Sequence, residues 1–356
     1  MSREKKILVV GTGTIGEPLI GLLSAYGKEL GVDGVMFHKR TPLLTDRSKV
    51  KDLVRRGAQL VTDSDRMDTF RELEVGDPVM TTEEALEEAS VVIDCTPAGN
   101  KMKEDLYNDF AVNTELFIAQ GSEFGFGKMY ARGINDNALI HGEDKFVQVV
   151  SCNTHNISVL IDTLALSEGQ DNLAQGRFVC IRRSNDLSQD SSFLPSPQVG
   201  KHDDERFGTH HARDAYHLFK TLGLELDLFS SALKLNTQYM HIIQFHLQLN
   251  KPTTMDALLE KIHANDRIAV THKRTANSVF SFGRDHGFFG RILNQTVIPT
   301  ETLAVMGGGK EVVGYCFTPQ DGNSILSSIA ASIWALYPDS YNDRVQALSH
   351  WFFDEV

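Results

Sequence analysis

A glycine-rich turn between a strand-like segment and a helical pattern constrains the fold of this chain most strongly. The apolar residues 7–10 lead directly into Gly11, Thr12, Gly13, Thr14, Ile15 and Gly16, and apolar residues then recur at helical spacing up to Leu30. In this context the three glycines of a GxGxxG pattern allow a tight turn, close approach of a pyrophosphate and close helix packing. The pattern favours a dinucleotide-binding fold over a plain glycine-rich turn.

Further alternation of apolar strands and helices supports the same fold up to residue 150. Residues 91–94, 116–119 and 146–150 are short apolar runs typical of buried parallel strands. We therefore expect a doubly wound parallel sheet. Loops after such strands line the cofactor crevice, which makes Thr96, Pro97 and Gly121 candidate cofactor contacts.

The residues after the second strand-like run indicate which dinucleotide is preferred. An NAD-specific site commonly has an acidic residue there, but this chain has Lys39, Arg40 and Thr41 after residues 34–38. Two cations and a hydroxyl suit a ribose 2′-phosphate, so we expect NADP to be preferred, with NAD as an alternative. A solvated basic turn is the other interpretation.

The length and net charge of the chain limit the classes of protein to which it can belong. A chain of 356 residues is long enough for two domains, and a net charge of −12 argues against nucleic acid as the main partner. We see no apolar run long enough to span a membrane and no signal-peptide pattern. We therefore predict a cytoplasmic location without membrane association. Four scattered cysteines do not form a disulfide framework.

One cysteine occupies a position suited to a nucleophile. The run at residues 146–150 ends at Ser151, Cys152, Asn153 and Thr154, and the following residues predict a buried helix. Cys152 would lie at the N-terminus of this helix, where unpaired N–H groups favour a thiolate. Buried cysteines also serve as small apolar residues, as we expect for Cys95, Cys180 and Cys316, and position alone leaves both interpretations of Cys152 open.

The second half contains three polar features with open roles. Arg182 and Arg183 end a strand-like run, and either hold an anionic substrate or lie exposed. A long polar loop, residues 184–211, ends at His210 and His211; no metal is predicted there because no complete ligand set is present. His241 begins the apolar face of an alternating strand at residues 241–249, as a structural histidine or a base.

These segments, in this order, resemble the archaeal-type (type II) phosphorylating glyceraldehyde-3-phosphate dehydrogenases. The segments are residues 11–16, 94–99, 120–121, 150–154, 182–183, 210–211 and 240–241. The resemblance implies a Rossmann-type NAD(P)-binding domain formed by residues 1–151 with a returning C-terminal segment, residues 318–356. It implies an α+β catalytic domain with a largely antiparallel sheet at residues 152–317, and a homotetramer.

The resemblance also implies roles for individual residues. Cys152 corresponds to the nucleophile and His241 to the residue that activates it, while Asn323 corresponds to an asparagine near the nicotinamide. The substrate would be a phosphorylated aldehyde together with inorganic phosphate. The residues implied to contact them are Ser151, Asn153, Thr154, Arg182, Arg183, His210 and His211.

Departures from the family pattern lie next to these positions. The family commonly continues Cys-Asn-Thr-Thr-Gly, whereas this chain has His155 and Asn156 in place of the last two residues, and Thr237 lies in a second altered segment before His241. The aldehyde could therefore differ. Two alternatives are another acyl-phosphate-forming enzyme, similar to aspartate-semialdehyde dehydrogenase, and a non-catalytic nucleotide-responsive protein.

Overall fold

The structure, a computed structural model, describes residues 3–121, 123–185, 193–319 and 321–356. The chain forms two compact units. The first comprises Met1–Tyr130, Leu139–Val149 and Ile325–Ser349, and the second comprises Ala131–Ala138, Val150–Ser324 and His350–Val356.

The first unit is built on an eight-stranded sheet in which every described strand pair is parallel. Because parallel strands are covered on both faces, their sequences are almost continuously apolar. The predicted doubly wound sheet is confirmed. In chain order the strands are β1 (Lys6–Val10), β2 (Gly34–His38), β3 (Gln59–Thr62), β4 (Met80–Thr81), β5 (Val91–Asp94), β6 (Leu116–Gln120), β7 (Lys128–Tyr130) and β8 (Phe146–Val149).

Helices connect these strands as parallel crossovers require. They are α1 (Gly16–Leu30), α2 (Arg47–Arg55), α3 (Met67–Glu72), α4 (Thr82–Glu88), α5 (Gly99–Met102) and α6 (Asn108–Phe110), with a π-helical turn at Lys103–Tyr107 between the last two. The strand order is β4-β3-β2-β1-β5-β6-β8-β7. The order reverses between β1 and β5, and ligands of open α/β sheets bind beside the carboxyl ends of strands at such a point.

The second unit contains a mixed sheet that is mostly antiparallel, as expected. Among its described strand pairs only β9–β11 and β13–β14 are parallel. Its strands are β9 (Leu173–Arg182), β10 (Gln198–Val199), β11 (Leu228–Lys234), β12 (His241–Leu249), β13 (Ile268–Thr271), β14 (Thr296–Pro299), β15 (Ala304–Met306) and β16 (Glu311–Thr318). Its helices are α7 (Cys152–Leu164), α8 (His210–Lys220), α9 (Met255–His263) and α10 (Ala276–His286).

Two elements of the second unit have the structure that their sequence patterns predict. Strand β12 lies between β9 and β16, and its alternate residues His241, Ile243, Phe245, Leu247 and Leu249 are buried. Helix α7 is buried almost all round, as its apolar sequence predicts. The first residue of α7 is Cys152, so the expected strand-to-helix turn is present at that cysteine.

The C-terminal region begins with α11 (Gly322–Leu336), followed by α12 (Tyr341–Val345). Residues 350–356 belong to the second unit, where the backbone N–H of Val356 donates to the carbonyl of Val270 at 2.9 Å. The sequence-based division, with residues 318–356 as one returning segment, therefore differs from these units at residues 131–138, 150–151, 318–324 and 350–356. None of the helices within the described ranges is long and apolar enough to cross a membrane.

Candidate active site

The glycine turn of the first unit is tightly packed where two of its glycines lie. Gly11 has a φ of +95°, and a Cβ at Gly16 would lie 2.0 Å from the carbonyl oxygen of Gly11, so a side chain at either position is disfavoured. A Cβ at Gly13, by contrast, would meet no atom within 4 Å. Helix α1 begins without a side-chain hydrogen bond at its N-cap, Ile15. The turn thus fits a dinucleotide pyrophosphate at the N-terminus of α1.

The loop after β5 is held against this turn by a buried carboxylate. Asp94 accepts hydrogen bonds from the backbone N–H and hydroxyl of Thr96, both at 2.7 Å, and from the hydroxyl of Tyr107 at 2.7 Å. Burial raises the pKa of Asp94, and these hydrogen bonds oppose the shift. Thr96 in turn contacts the turn, because a Cβ at Gly11 would lie 3.0 Å from its Cγ2.

A cavity of about 610 Å³ opens at the ends of β1, β2, β3 and β5. Its lining includes six of the predicted cofactor residues, namely Gly11, Thr12, Lys39, Arg40, Thr41 and Thr96. The other predicted residues of this unit, Gly13, Thr14, Ile15, Gly16, Pro97 and Gly121, do not line it. The cavity also includes His38 and Asp63, which the sequence interpretation missed.

The basic turn of the cavity contains an acidic neighbour. Lys39 forms an ion pair with Asp46 at 2.7 Å, whereas the side chain of Arg40 is 83% exposed and lies 4.0 Å from the Asp63 carboxylate. Sequence inspection found no carboxylate directly after β2, where Lys39, Arg40 and Thr41 follow. Asp63 comes instead from the end of β3, and its position directly after an apolar strand was the signal that could have identified it.

The cysteine turn of the second unit is stabilised by side-chain hydrogen bonds. Cys152 is partly exposed, and the N-cap residue Ser151 accepts a hydrogen bond from the backbone N–H of Thr154 at 3.3 Å. The side-chain amide of Asn323 donates to the carbonyl of Cys152 at 3.0 Å. These contacts fix the backbone on both sides of the thiol, and only the fold could reveal that Asn323 makes one of them.

The two residues that depart from the family pattern are both fully buried. Nδ1 of His155 lies 3.0 Å from the carbonyl oxygen of Ser151, and the side-chain amide of Asn156 donates to the hydroxyl of Thr318 at 2.8 Å. Burial lowers the pKa of His155 to about 4, although hydrogen bonds to the carbonyls of Ser151 and Val150 oppose the shift. The His155 ring is therefore neutral at pH 7. Both side chains are bonded within the protein.

Asn153 and Thr154, expected to contact substrate, are also buried and bonded within the protein. Thr318 donates to the side-chain oxygen of Asn153 at 3.2 Å, and the hydroxyl of Thr154 lies 2.9 Å from that of Ser151. Thr318 pairs with His241 across β16 and β12. This network therefore joins the start of α7 to the strands beside His241, so we assign Asn153 and Thr154 to positioning.

His241, at the start of β12, has a defined tautomer. Its Nδ1 accepts a hydrogen bond from the backbone N–H of Arg183 at 3.0 Å. A backbone N–H can only donate, so the proton of the neutral ring is on Nε2. Burial, followed by the charges of Arg183 and Arg182, holds the pKa of His241 well below its ordinary value. In this state the ring is a hydrogen-bond donor at Nε2, and a base only after the tautomer changes.

The two adjacent arginines have different environments. Arg182 is exposed at the end of β9, whereas Arg183 is buried and its guanidinium lies 3.6 Å from the Asp321 carboxylate. The sequence interpretation treated the two arginines as equivalent. Their surroundings make Arg182 the one that an external anion can reach.

His210 and His211 begin α8, and their ring centroids are 3.9 Å apart. His210 is exposed, but His211 is buried, and neither of its ring nitrogens has a hydrogen-bond partner among the described residues. Burial, followed by the charges of His210, Arg182 and His241, holds the pKa of His211 well below its ordinary value. These residues thus lie close enough to act on one another. Residues 186–192 of the preceding polar loop lie outside the described residues.

Hydrogen bonds connect the cysteine turn with the sheet of the second unit. Thr318, which pairs with His241 across β16 and β12, donates to the side chain of Asn153 and accepts from that of Asn156. Cys180 lies two residues before Arg182 on β9, and burial raises its pKa, which the charge of Arg182 opposes. The second unit brings the cysteine turn to the edge of the sheet that carries Arg182 and His241. Within the described part of the chain, no group of three or more histidine, cysteine or acidic side chains is arranged to hold a metal ion.

Comparison with known proteins shows that the chain is similar to archaeal enzymes. No protein-family model matches it. It is 26% identical over 317 residues to the glyceraldehyde-3-phosphate dehydrogenase of Pyrobaculum islandicum, which covers 85% of this chain and 84% of that protein. The enzyme of the same name from Methanopyrus kandleri is 26% identical over 322 residues, covering 86% and 85% of the two chains.

The resemblance predicted from the sequence is confirmed. A further relative, the glyceraldehyde-3-phosphate dehydrogenase of Methanobacterium bryantii, is 28% identical over 274 residues, which is 74% of this chain and 73% of that protein. The similarity is distant but extends over most of both chains. The fold class expected from the resemblance, an α/β protein with a second, mostly antiparallel sheet, is confirmed as well.

Proposed function

We propose that this protein is an NADP-preferring, phosphorylating glyceraldehyde-3-phosphate dehydrogenase that acts through Cys152. The observation that carries this proposal is the arrangement of the second unit, where the partly exposed Cys152 begins α7 and hydrogen bonds of Asn153 and Asn156 with Thr318 join that turn to the strand pair that contains His241. Archaeal relatives of that name support the reaction class. The glycine turn and its cavity support a nicotinamide dinucleotide as the cofactor.

The first chemical step uses the thiol. The Cys152 thiolate attacks the carbonyl carbon of the aldehyde, so that a C–S bond forms and the carbonyl oxygen becomes an oxyanion. Backbone N–H groups at the start of α7 are suited to stabilise this charge. His241 would add a hydrogen bond from Nε2–H, since its Nδ1 is occupied by the N–H of Arg183.

This role differs from that of a base, which the sequence left open for His241 beside a structural role and which the resemblance favoured. Attack by a thiolate produces an oxyanion directly, so no hydroxyl proton has to be removed before oxidation. A donor at Nε2 therefore suits the chemistry, and the lowered pKa of His241 disfavours a stable imidazolium. When bound, the nicotinamide supplies the hydride acceptor, and the product that remains on Cys152 is a thioester.

Inorganic phosphate completes the reaction. A phosphate oxygen attacks the thioester carbonyl, the C–S bond breaks, and the products are an acyl phosphate and the Cys152 thiolate. Arg182 is exposed and carries a charge suited to phosphate. The neutral His211 ring has one N–H that could donate to a phosphate oxygen, since neither ring nitrogen has a partner among the described residues. His210 lies beside His211, and Arg183 is instead held next to Asp321.

The test is NADPH formation from glyceraldehyde 3-phosphate with and without inorganic phosphate. We expect turnover that depends on phosphate, with NAD as a weaker acceptor and aspartate semialdehyde as a poor substrate. Faster turnover with aspartate semialdehyde would replace the assigned substrate. No turnover with either aldehyde would contradict the enzymatic proposal and favour a nucleotide-responsive protein.

A pair of arginine variants tests the phosphate step. Arg182→Gln should raise KM for phosphate about tenfold or more while leaving the melting temperature unchanged, because one charge-assisted contact with the anion is lost. Arg183→Gln should lower the free energy of unfolding by about 3 kcal/mol, because it removes the cation beside a buried carboxylate. Equal effects of the two variants on phosphate KM would contradict the distinction.

The assembly and location implied by the resemblance belong to the same proposal. A homotetramer predicts four times the chain mass of 39.6 kDa by light scattering. A monomer in that measurement would contradict it. The cytoplasmic location stays a prediction.

A further inference from the structure

Asp63 is an ionised carboxylate that faces the predicted cofactor cavity. It follows β3 directly, and its Oδ1 accepts a hydrogen bond from the hydroxyl of Thr82 at 2.7 Å and lies 3.1 Å from Nε2 of His38. The other oxygen, Oδ2, lies 4.0 Å from Nε of Arg40. Burial by itself raises the pKa of Asp63, but the Thr82 hydrogen bond and the charges of His38 and Arg40 bring it below its ordinary value.

The cations around this carboxylate are not equally available to a ligand. Lys39 is paired with Asp46, which also contacts Lys49 at 3.0 Å. Arg40 is largely exposed, and its closest acidic neighbour across the cavity is Asp63. The part of the cavity beside β2 therefore contains an exposed cation and an ionised carboxylate about one ion-pair distance apart.

These two charges have opposite effects on the two nicotinamide dinucleotides. A 2′-phosphate placed at Arg40 gains a cation but lies beside the charge of Asp63, which repels it. A free ribose hydroxyl carries no charge and can donate a hydrogen bond to a carboxylate oxygen. Oδ2 is suited to this contact, because Oδ1 already has two partners.

We propose that Asp63 is the specificity-determining residue that limits the preference for a 2′-phosphorylated dinucleotide and allows a dinucleotide with a free ribose to bind. This inference rests on the proposed nicotinamide cofactor and goes further by naming the residue that opposes Arg40. A chain that has Arg40 without Asp63 would discriminate strongly for NADP. This chain has both, so it uses the two cofactors with a small difference in affinity.

The experiment measures Kd for NADPH and NADH with the full-length protein, by fluorescence titration without any aldehyde. In Asp63→Asn the Kd for NADPH should fall about fivefold and the Kd for NADH should rise several-fold, because a repelling charge and an acceptor are lost together. The amide oxygen can still accept the Thr82 hydrogen bond, so the melting temperature should change little.

Two further variants control this result. Asp65→Asn removes the same charge two residues away, from a side chain that is 69% exposed, and should leave the ratio of the two Kd values unchanged. Arg40→Gln should raise the Kd for NADPH about tenfold with little effect on NADH. Arg40 is largely exposed, so Arg40→Gln should fold normally. It therefore tests the cation that Asp63 opposes, even if Asp63→Asn lowers stability.

An unchanged Kd ratio in Asp63→Asn, or an equal change in Asp65→Asn, would overturn the proposal. Failure of the wild type to bind either dinucleotide would overturn it together with the cofactor assignment. A shifted ratio in a protein that oxidises no aldehyde would support the role of Asp63 while contradicting the proposed enzymatic function. The two proposals can therefore fail separately.

Discussion

Two turns of this protein join a strand to a helix, and their side chains are used in opposite ways. The turn between β1 and α1 has glycine at residues 11, 13 and 16, and its helix has no side-chain hydrogen bond at the N-cap. The turn between β8 and α7 has a cap from Ser151, a buried imidazole from His155 and an amide contact from Asn323. Both turns lie at helix N-termini, where anions are favoured.

The difference shows how one local geometry serves two purposes. An open turn of glycines exposes the backbone, so a large external anion can approach the N-terminus of α1. The cysteine turn uses its side chains to satisfy and position its own backbone, so that the group near the helix N-terminus is a thiol of the chain itself. Binding and nucleophilic attack thus make different demands on the same structural unit.

Cys152→Ser should have the largest effect on activity. A small effect would contradict the assignment of the cysteine turn to nucleophilic attack. We expect aldehyde oxidation to fall about 10³-fold or more, because a hydroxyl is a much weaker nucleophile than a thiolate. Nucleotide affinity should be unchanged. The measurements are single-turnover NADPH formation and the Kd of NADPH. The matched control is Cys180→Ala, which removes a buried thiol from the same unit and should retain most activity.

Substitutions in the glycine turn should separate packing from ligand approach. Gly16→Ala should lower the free energy of unfolding by about 1–3 kcal/mol or more, because its Cβ would meet the Gly11 carbonyl oxygen at 2.0 Å. Gly13→Ala should leave stability within about 1 kcal/mol, since nothing in the protein lies within 4 Å of its Cβ. Chemical denaturation measures both.

The two variants should also differ in nucleotide binding. Gly13→Ala should weaken NADPH binding at unchanged stability, because its methyl group would occupy the space through which the pyrophosphate approaches. Tight NADPH binding by Gly13→Ala would contradict the interpretation of this turn as an open cradle.

His155 should make the stability of the cysteine turn depend on pH. Its pKa is lowered from 6.5 to about 4 in the folded protein, so its contribution to stability is complete above pH 6.5 and is lost as the pH falls towards 4. The loss is on the order of 3 kcal/mol when fully developed. His155→Asn keeps a donor near Ser151 but does not titrate, so its free energy of unfolding should fall less between pH 7 and pH 5 than that of the wild type.

Other buried histidines titrate in the same direction, so the informative quantity is the difference between His155→Asn and the wild type. His263→Asn is a matched control, because His263 is exposed in the last turn of α9 and makes no contact with the cysteine turn in the described hydrogen bonds. Parallel pH profiles of the wild type and His155→Asn would show that His155 does not titrate as inferred.

Loss of the Ser151 cap should have the smallest effect. Ser151→Ala should lower the free energy of unfolding by about 1 kcal/mol and reduce kcat, because the backbone beside the thiol loses one restraint. Thr81→Ala removes the equivalent cap from α4, where Thr81 accepts from the N–H of Glu84 at 3.3 Å, and should cost a similar amount without changing kcat. Equal kcat values for both variants would show that the Ser151 cap contributes to stability and not to catalysis.

Sequence reasoning worked where structure is set by neighbouring residues. The glycine turn, the parallel strands, the alternation of β12 and the position of Cys152 all follow from patterns within about ten residues. It did not identify partners brought together by the fold. Arg183 and His241 are 58 positions apart, and Asn323 and Cys152 are 171 apart, so no local pattern contains these contacts.

The same limit explains why one pair of residues was not distinguished and one residue was overlooked. Arg182 and Arg183 have the same chemistry in the sequence, and only the position of Asp321 distinguishes them. Asp63 was overlooked because the expected carboxylate follows β2, whereas the fold delivers one from the adjacent β3. In both cases the role of the residue depends on which side chains the fold places next to it.

The distribution of the four cysteines has a practical consequence for chemical labelling. Burial raises the pKa of Cys95, Cys180 and Cys316, so these thiols are protonated at neutral pH. Cys180 and Cys316 are also buried, whereas Cys95 is partly exposed. Cys152 is partly exposed at the start of α7. A maleimide or iodoacetamide fluorophore should therefore attach to Cys152 faster than to Cys95, and Cys95→Ser should leave Cys152 as the one partly exposed cysteine of the described residues and so give a site-specific spectroscopic reporter.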